Sequence, residues 1–269
     1  MTNAQDLAKR AYTVQIIEIA PAFLLRSTDQ RPATGDFVTM ATKPSNSLFR
    51  EAKHSATRNT RFEQNTCISF EPSFDSQSTS LPKECDMEKL SLAVKMMLEA
   101  VGEDVNRPGL LDTPSRVARM YRELLYGTGV DAATEITCLF EEGNEDPVIV
   151  KNIPFTTVCE HHLVPFIGKA DVAYIPKDGR ITGLSKLARV VEVTARRLQV
   201  QERMTAQIAD AIMTALEPQG ALVILKAEHL CMSMRGVKKP GSLTTTMAAR
   251  GLLKEDREAR REIMDLIAH

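Results

Sequence analysis

The chain has 269 residues, 43% of them hydrophobic, enough for one large domain or two small ones whose core buries roughly 70% of the unfolded surface. The 34 Lys and Arg nearly balance 35 Asp and Glu, which excludes a global basic field for nucleic acid and an acidic solvating tail, so any anion site must be local. Five cysteines, at 67, 85, 138, 159 and 231, are odd in number and scattered, which speaks against a secreted disulfide framework and for a reducing, cytoplasmic compartment with thiols available to metal.

No run reaches the roughly 18 apolar residues of a membrane span. The nearest, residues 13–25, is interrupted by Glu18 and Pro21. The same acid argues against a secretory leader, and with Asp6 against a transit peptide. From 27 to 82 the chain is rich in Ser, Thr, Asn, Gln and Pro without a sustained period, so residues 1–85 are expected to form a largely disordered extension, with a short element near 14–25.

Order is expected from Asp86. Leu90, Val94, Met97, Leu98 and Val101 fall on one helical face and Gly102 follows as a stop. After the loop NRPGLLDTP, Thr113 is expected to cap a second helix with Pro114 at its first position, and Val117, Met120, Tyr121, Leu124 and Leu125 carry the stripe to Gly127. PVIVKNI and FIGKADVAYIP then have strand composition, the latter ending in a Pro176–Gly179 turn. Helices at about 185–198 and 202–216 follow, and ALVILKAEHLCMSMRG and SLTTTMAARG close the series as strands. The pattern predicts an α+β domain, an antiparallel sheet with helices on one face, preceded by a helical hairpin.

Only five histidines are present, yet two stand together in Cys159-Glu160-His161-His162. Thiolate and imidazole are the ligands zinc prefers, and a Cys-x-x-His pair can grip one ion from two sides. Cys231 is the best third candidate: if residues 229–232 continue a strand, His229 and Cys231 point to the same face. Three ligands with a fourth place open is the catalytic pattern of zinc sites. Buried cysteine is also a common inert hydrophobe, and spacing alone does not separate the two readings.

CEHHLVPF, GLSKLARVVEV, QVQERMTAQIADAI and HLCMSMRG, in this order and with DTPSRVARMYRELLYG before them, resemble the GTP cyclohydrolase I family over about residues 88–253. The resemblance implies a tunnelling fold (T-fold), with a helical part at 86–145, a catalytic part at 146–253 and a C-terminal helix at 254–269. It implies zinc on Cys159, His162 and Cys231, with His161 an acid–base group, not a ligand. Imidazole, with an unperturbed pKa of about 6.5, can give and take protons near neutrality. His229 is implied to protonate the purine as C8 becomes tetrahedral, and Ser185 to move a proton at the sugar.

The same resemblance places Glu202, within Gln201-Glu202-Arg203, on the guanine edge, where a carboxylate accepts from N1–H and the 2-amino group, a pairing adenine lacks. On its own Glu202 reads as an ordinary first-turn glutamate favoured by the helix dipole. Gln201 joins it as a substrate-binding residue. Lys186, Arg189 and Arg235 are the cations implied for the triphosphate. The implied reaction converts GTP to 7,8-dihydroneopterin 3'-triphosphate and formate, the opening step of tetrahydrofolate- or tetrahydrobiopterin-type pteridine synthesis. A homodecamer of two stacked pentamers with shared active sites is implied, without nucleic-acid or membrane partners. A non-catalytic pterin-binding relative would lack a ligand or one of the paired histidines, and a T-fold nitrile reductase would need a free reactive cysteine at the pocket.

Overall fold

The computed structural model describes residues 85–143 and 145–269, together with the backbone of a strand at Gln15–Glu18. That strand falls within the short element expected near 14–25; the rest of the expected extension lies outside the described residues. In chain order the elements are β1 (Gln15–Glu18), α1 (Met87–Ala100), α2 (Thr113–Leu124), a 3-10 turn (Ala132–Glu135), β2 (Leu139–Glu141), β3 (Val148–Cys159), β4 (Pro165–Ile175) and β5 (Arg180–Thr182). Then come α3 (Leu184–Ala195), β6 (Leu198–Gln199), α4 (Gln201–Leu216), β7 (Gly220–His229), α5 (Leu230–Ser233), β8 (Leu243–Gly251), α6 (Leu252–Glu255) and α7 (Arg257–Ala268).

The helical hairpin forms where the apolar stripes placed it, with different punctuation. Asp86 caps α1, its carboxylate accepting from the Lys89 N–H at 2.8 Å, and Gly102 follows in the left-handed region at φ 87°. Thr113 does not cap α2: Asp112 holds the cap position without a side-chain capping bond, its carboxylate accepting from Arg116 instead, and the Thr113 hydroxyl, already inside the helix, donates back to the Gly109 carbonyl. Gly127 is no helix stop either, because α2 has ended at Leu124. A Cβ at Gly127 would stand 2.2 Å from the Val193 carbonyl oxygen, so the glycine lets the hairpin's exit approach the end of α3. Val94 and Ala118 are buried, but Met97 and Val101 of the expected stripe are 57% and 72% exposed.

The main sheet runs β1-β3-β4-β7-β8, with β6 pairing at the end of β3. The β3–β4, β4–β7 and β7–β8 pairings are antiparallel, whereas β1 and β6 each lie parallel to β3. A side chain alternates between faces at every residue, and two cores result. Val148, Val150, Val172, Tyr174, Val223 and Leu225 meet Leu187, Val190 and Val191 of α3 and Met204, Ile208 and Ile212 of α4. On the opposite face Ile149, Ala173, Leu222 and Ile224 meet Leu253 of α6 and Ile263 and Ile267 of α7. The two long helices therefore cover one face, as expected, and the C-terminal helix covers part of the other.

One irregularity decides which side the chemistry lies on. The register of β3 against β4 shifts between Val150 and Ile153, where Asn152 adopts φ 58°; asparagine tolerates that conformation better than most residues. The Asn152 N–H is held by the buried Asp171 carboxylate at 2.9 Å, and Asp171 in turn meets Lys226 at 3.6 Å. An extra residue in one strand reverses the facing of everything after it. The bulge thus returns Ile153, Phe155 and Cys159 to the face covered by α3 and α4. Among the described residues no helix is long and apolar enough to cross a membrane.

Candidate metal centre and active site

Cys159 ends β3 and is buried; residues 160–164 make the turn into β4. The turn is pinned by its own backbone: the Cys159 N–H donates to Val164 O at 2.9 Å, the Leu163 N–H to Cys159 O at 2.9 Å, and the Glu160 N–H to Gln199 O at 3.0 Å. Leu163 takes φ 55° to close it, a conformation that costs a branched residue energy and persists where surrounding bonds impose it. His161 and His162, both exposed, project from this turn with their rings edge to face, 6.4 Å between centroids.

Cys231 arrives from the far end of β7. The expected strand through residues 229–232 is not formed: β7 stops at His229, and Leu230–Ser233 is a single helical turn. The turn is tied down by Glu228, whose carboxylate accepts from Ser233 Oγ at 2.6 Å and from the Gly241 N–H at 2.9 Å. Those two bonds, Ser233 first, hold the Glu228 pKa below its usual range. The turn brings Cys231 to Cys159 and His162, and one ligand atom from each lies within 4.8 Å of the other two.

The donor set fits a divalent ion of borderline softness. Ligands at about 2.0–2.3 Å from a tetrahedral ion stand roughly 3.3–3.8 Å apart, so small side-chain adjustments suffice. Burial and then the neighbouring Cys159 sulfur push the Cys231 thiol up; a cation between two sulfurs removes that penalty and favours thiolate. Arg235 donates to His162 Nε2 at 2.9 Å, which leaves that ring nitrogen an acceptor, the form in which imidazole binds metal.

His229 lies beside this group at the end of β7. In the β4–β7 ladder it stands opposite Phe166, and the two rings stack at 4.4 Å and 8°. Its Nε2 is 2.8 Å from Gln201 Oε1. Burial lowers its pKa, partly opposed by the Glu202 carboxylate nearby. Glu202 itself is exposed in the first turn of α4.

The implied phosphate cations are less tightly gathered. Arg235 reaches the group through His162, whereas Lys186 donates to Thr137 Oγ1 at 2.6 Å. Ser185 and Arg189 are exposed on the first two turns of α3, and no described contact joins them to the cysteines.

The GTP cyclohydrolase I family model matches residues 90–268. The chain belongs to the GTP cyclohydrolase I family. A GTP cyclohydrolase 1 from Streptococcus pyogenes serotype M3 is 60% identical over 180 residues, covering 67% of this chain and 93% of the relative. Its counterpart from serotype M5 is 59% identical over the same shares. A crystal structure of the archaeosine synthase QueF-Like in the apo form is also similar, at 18% identity and a TM-score of 0.33, over 39% of this chain and 93% of that one. The GTP cyclohydrolase I match begins inside α1 and ends in α7, so it contains every candidate site residue.

Three neighbours were passed over in the sequence. Phe166 fixes the plane of His229 but reads as an ordinary strand aromatic. Arg203 spans from the Leu198 carbonyl and Gln199 Oε1 to the Glu160 carboxylate, and that ion pair is the main cause of the lowered Glu160 pKa. Glu228 reads as a solvent-facing strand acid, and only its partners at 233 and 241 reveal the anchor. Cys138 is disulfide-bonded, which departs from the reading of the cysteines as thiols; Cys85, Cys159 and Cys231 are free.

Proposed function

We propose that this chain opens the guanine ring of GTP, releasing C8 as formate and yielding 7,8-dihydroneopterin 3'-triphosphate, the entry to pteridine synthesis. The observation that carries the reading is the meeting of Cys159, His162 and Cys231 from two distant segments, in a chain of this family. These three residues would hold zinc, which when bound supplies Lewis acidity and a nucleophile from water at neutral pH.

The remaining chemistry falls to the chain's own side chains. His229 protonates the imidazole-ring nitrogen of the base as C8 becomes tetrahedral, and its stacked, half-buried ring is suited to holding one orientation. His161, exposed beside the ligand His162, exchanges protons during opening of the ribose, with Ser185 assisting at the sugar. Glu202 accepts from guanine N1–H and the 2-amino group. Lys186, Arg189 and Arg235 receive the triphosphate, for which Lys186 must release Thr137 and Arg235 must release His162.

Residues 86–269 form the catalytic unit, which assembles as a cytoplasmic homodecamer with sites shared between subunits. Two features support assembly. Leu92, Met96, Met97 and Val101 leave α1 with apolar side chains 57–72% exposed, more than a lone hairpin is expected to show water. β8 pairs only with β7 among the described residues and carries exposed Leu243 and Met247, an open edge of the kind that proteins cover. A chain that light scattering finds monomeric at assay concentration is expected to be inactive; a fully active monomer refutes the shared site.

The direct test is formate release by metal-replete protein from GTP, with ATP and dihydroneopterin triphosphate as controls. Formate from GTP alone is expected, and none from GTP overturns the reading. Within the same assay Glu202→Ala is expected to raise the KM for GTP on the order of 100-fold, because two hydrogen bonds to a charged acceptor are lost. An unchanged KM removes Glu202 from the guanine edge.

A further inference from the structure

Gln201 is the first residue of α4, yet its side chain is 1% exposed and points beneath the helix into the sheet. Its Nε2 lies 3.1 Å from Leu225 O, 3.0 Å from Thr244 O and 3.1 Å from Thr246 Oγ1. Two of those partners are carbonyl oxygens, which can only accept. That end of the amide must therefore be the NH2 group, and the end facing His229 must be oxygen. The backbone behind it is braced too: Thr205 Oγ1 donates to Gln201 O at 2.6 Å and shares a 2.6 Å hydrogen bond with Thr246 Oγ1.

An amide oxygen only accepts, so His229 Nε2, at 2.8 Å, must carry the hydrogen between them. The Gln201 amide is then held at both ends inside the protein, its Nε2 by the sheet and its Oε1 by His229. Phe166 constrains the ring plane from one side, while Gln201 constrains its rotation within that plane.

We propose that Gln201 is the positioning residue of His229: its amide oxygen fixes the hydrogen on Nε2, so that proton exchange with substrate runs through Nδ1. This rests on the reading of His229 as a proton donor in ring opening, and it replaces the substrate contact implied for Gln201. With the hydrogen bond removed, the ring would sample both tautomers and several rotations, and only a fraction of encounters would present Nδ1 correctly.

The test uses Gln201→Met, which keeps the length and removes both polar atoms, on zinc-loaded protein. The turnover number is expected to fall on the order of 100-fold, as for a misplaced catalytic group, with the KM for GTP and the zinc content unchanged. A raised KM at unchanged turnover means Gln201 binds substrate, and unchanged kinetics means it does neither; both outcomes overturn the proposal. The second measurement does not depend on a Gln201 variant folding. Solid-state 15N spectra of the histidine-labelled native protein, with His229 assigned by its loss in His229→Gln, are expected to show one neutral tautomer with hydrogen on Nε2. Hydrogen on Nδ1 overturns the proposal. Native protein that releases no formate from GTP defeats the functional reading instead, whatever the spectra show.

Discussion

Cys231→Ser is expected to yield folded protein that has lost its metal and its turnover together. The cysteine sits on a single helical turn outside the sheet, half-buried, and the turn is anchored by Glu228 through Ser233 and Gly241 and not by the thiol. Replacing sulfur by oxygen therefore leaves both cores intact, and thermal unfolding of the apo-protein should be nearly unchanged. The metal is another matter. A serine hydroxyl stays protonated near neutrality and is a hard donor, so it replaces thiolate poorly. Loss of a residue that merely supports a ligand already costs about 10–100-fold in affinity or activity; loss of one of three ligands must exceed that. Metal analysis beside the GTP assay checks the outcome. A full complement of zinc in this variant removes Cys231 from the ligand set.

The route by which Cys231 reaches Cys159 shows where sequence reading works and where it stops. Thiol and imidazole chemistry, with the Cys-x-x-His spacing, brings Cys159 and His162 forward, and Cys231 joins them as the best third candidate. The strand expected to carry Cys231 is not what places it. Strand alternation from His229 would have aimed both side chains the same way, but the strand has ended, and a helical turn delivers the sulfur instead. Nothing local marks that change, because Leu230, Cys231 and Met232 suit either conformation; the partners that fix it, at 228 and 241, act across a loop. The facing of Cys159 was hidden for a related reason. Period-two reading carries through PVIVKNI only until Asn152, where the bulge moves later residues to the other face. Its cause is Asp171 on the neighbouring strand, a contact that exists only once β3 and β4 are paired. The long helices and the order of β3, β4, β7 and β8 were legible because each rests on its own apolar periodicity. Of the exposed residues of α1, Met97 and Val101 belong to the expected stripe while Leu92 and Met96 do not, and a stripe does not name the surface that covers it.

His161→Ala is expected to separate chemistry from metal binding. The two histidines are adjacent in sequence but differ in their surroundings: His162 belongs to the group within 4.8 Å of both sulfurs, while His161 has its side chain 64% exposed, with Glu160 at 3.9 Å as its nearest ionic neighbour. Truncating so exposed a ring should change stability by no more than about 0.5 kcal/mol, and zinc content should stay at the native level. Turnover should nevertheless fall about 10²–10⁴-fold, the range contributed by a positioned acid–base group. KM should change little, since an acid–base group acts mainly in the transition state. The same substitution at His162 should remove metal and activity together, so the pair serves as its own control. If His161→Ala loses zinc along with turnover, the two roles have been exchanged and His161 is the ligand. If it keeps both, the proton is handled elsewhere, and the exposed turn that carries these histidines holds a metal ligand and nothing more.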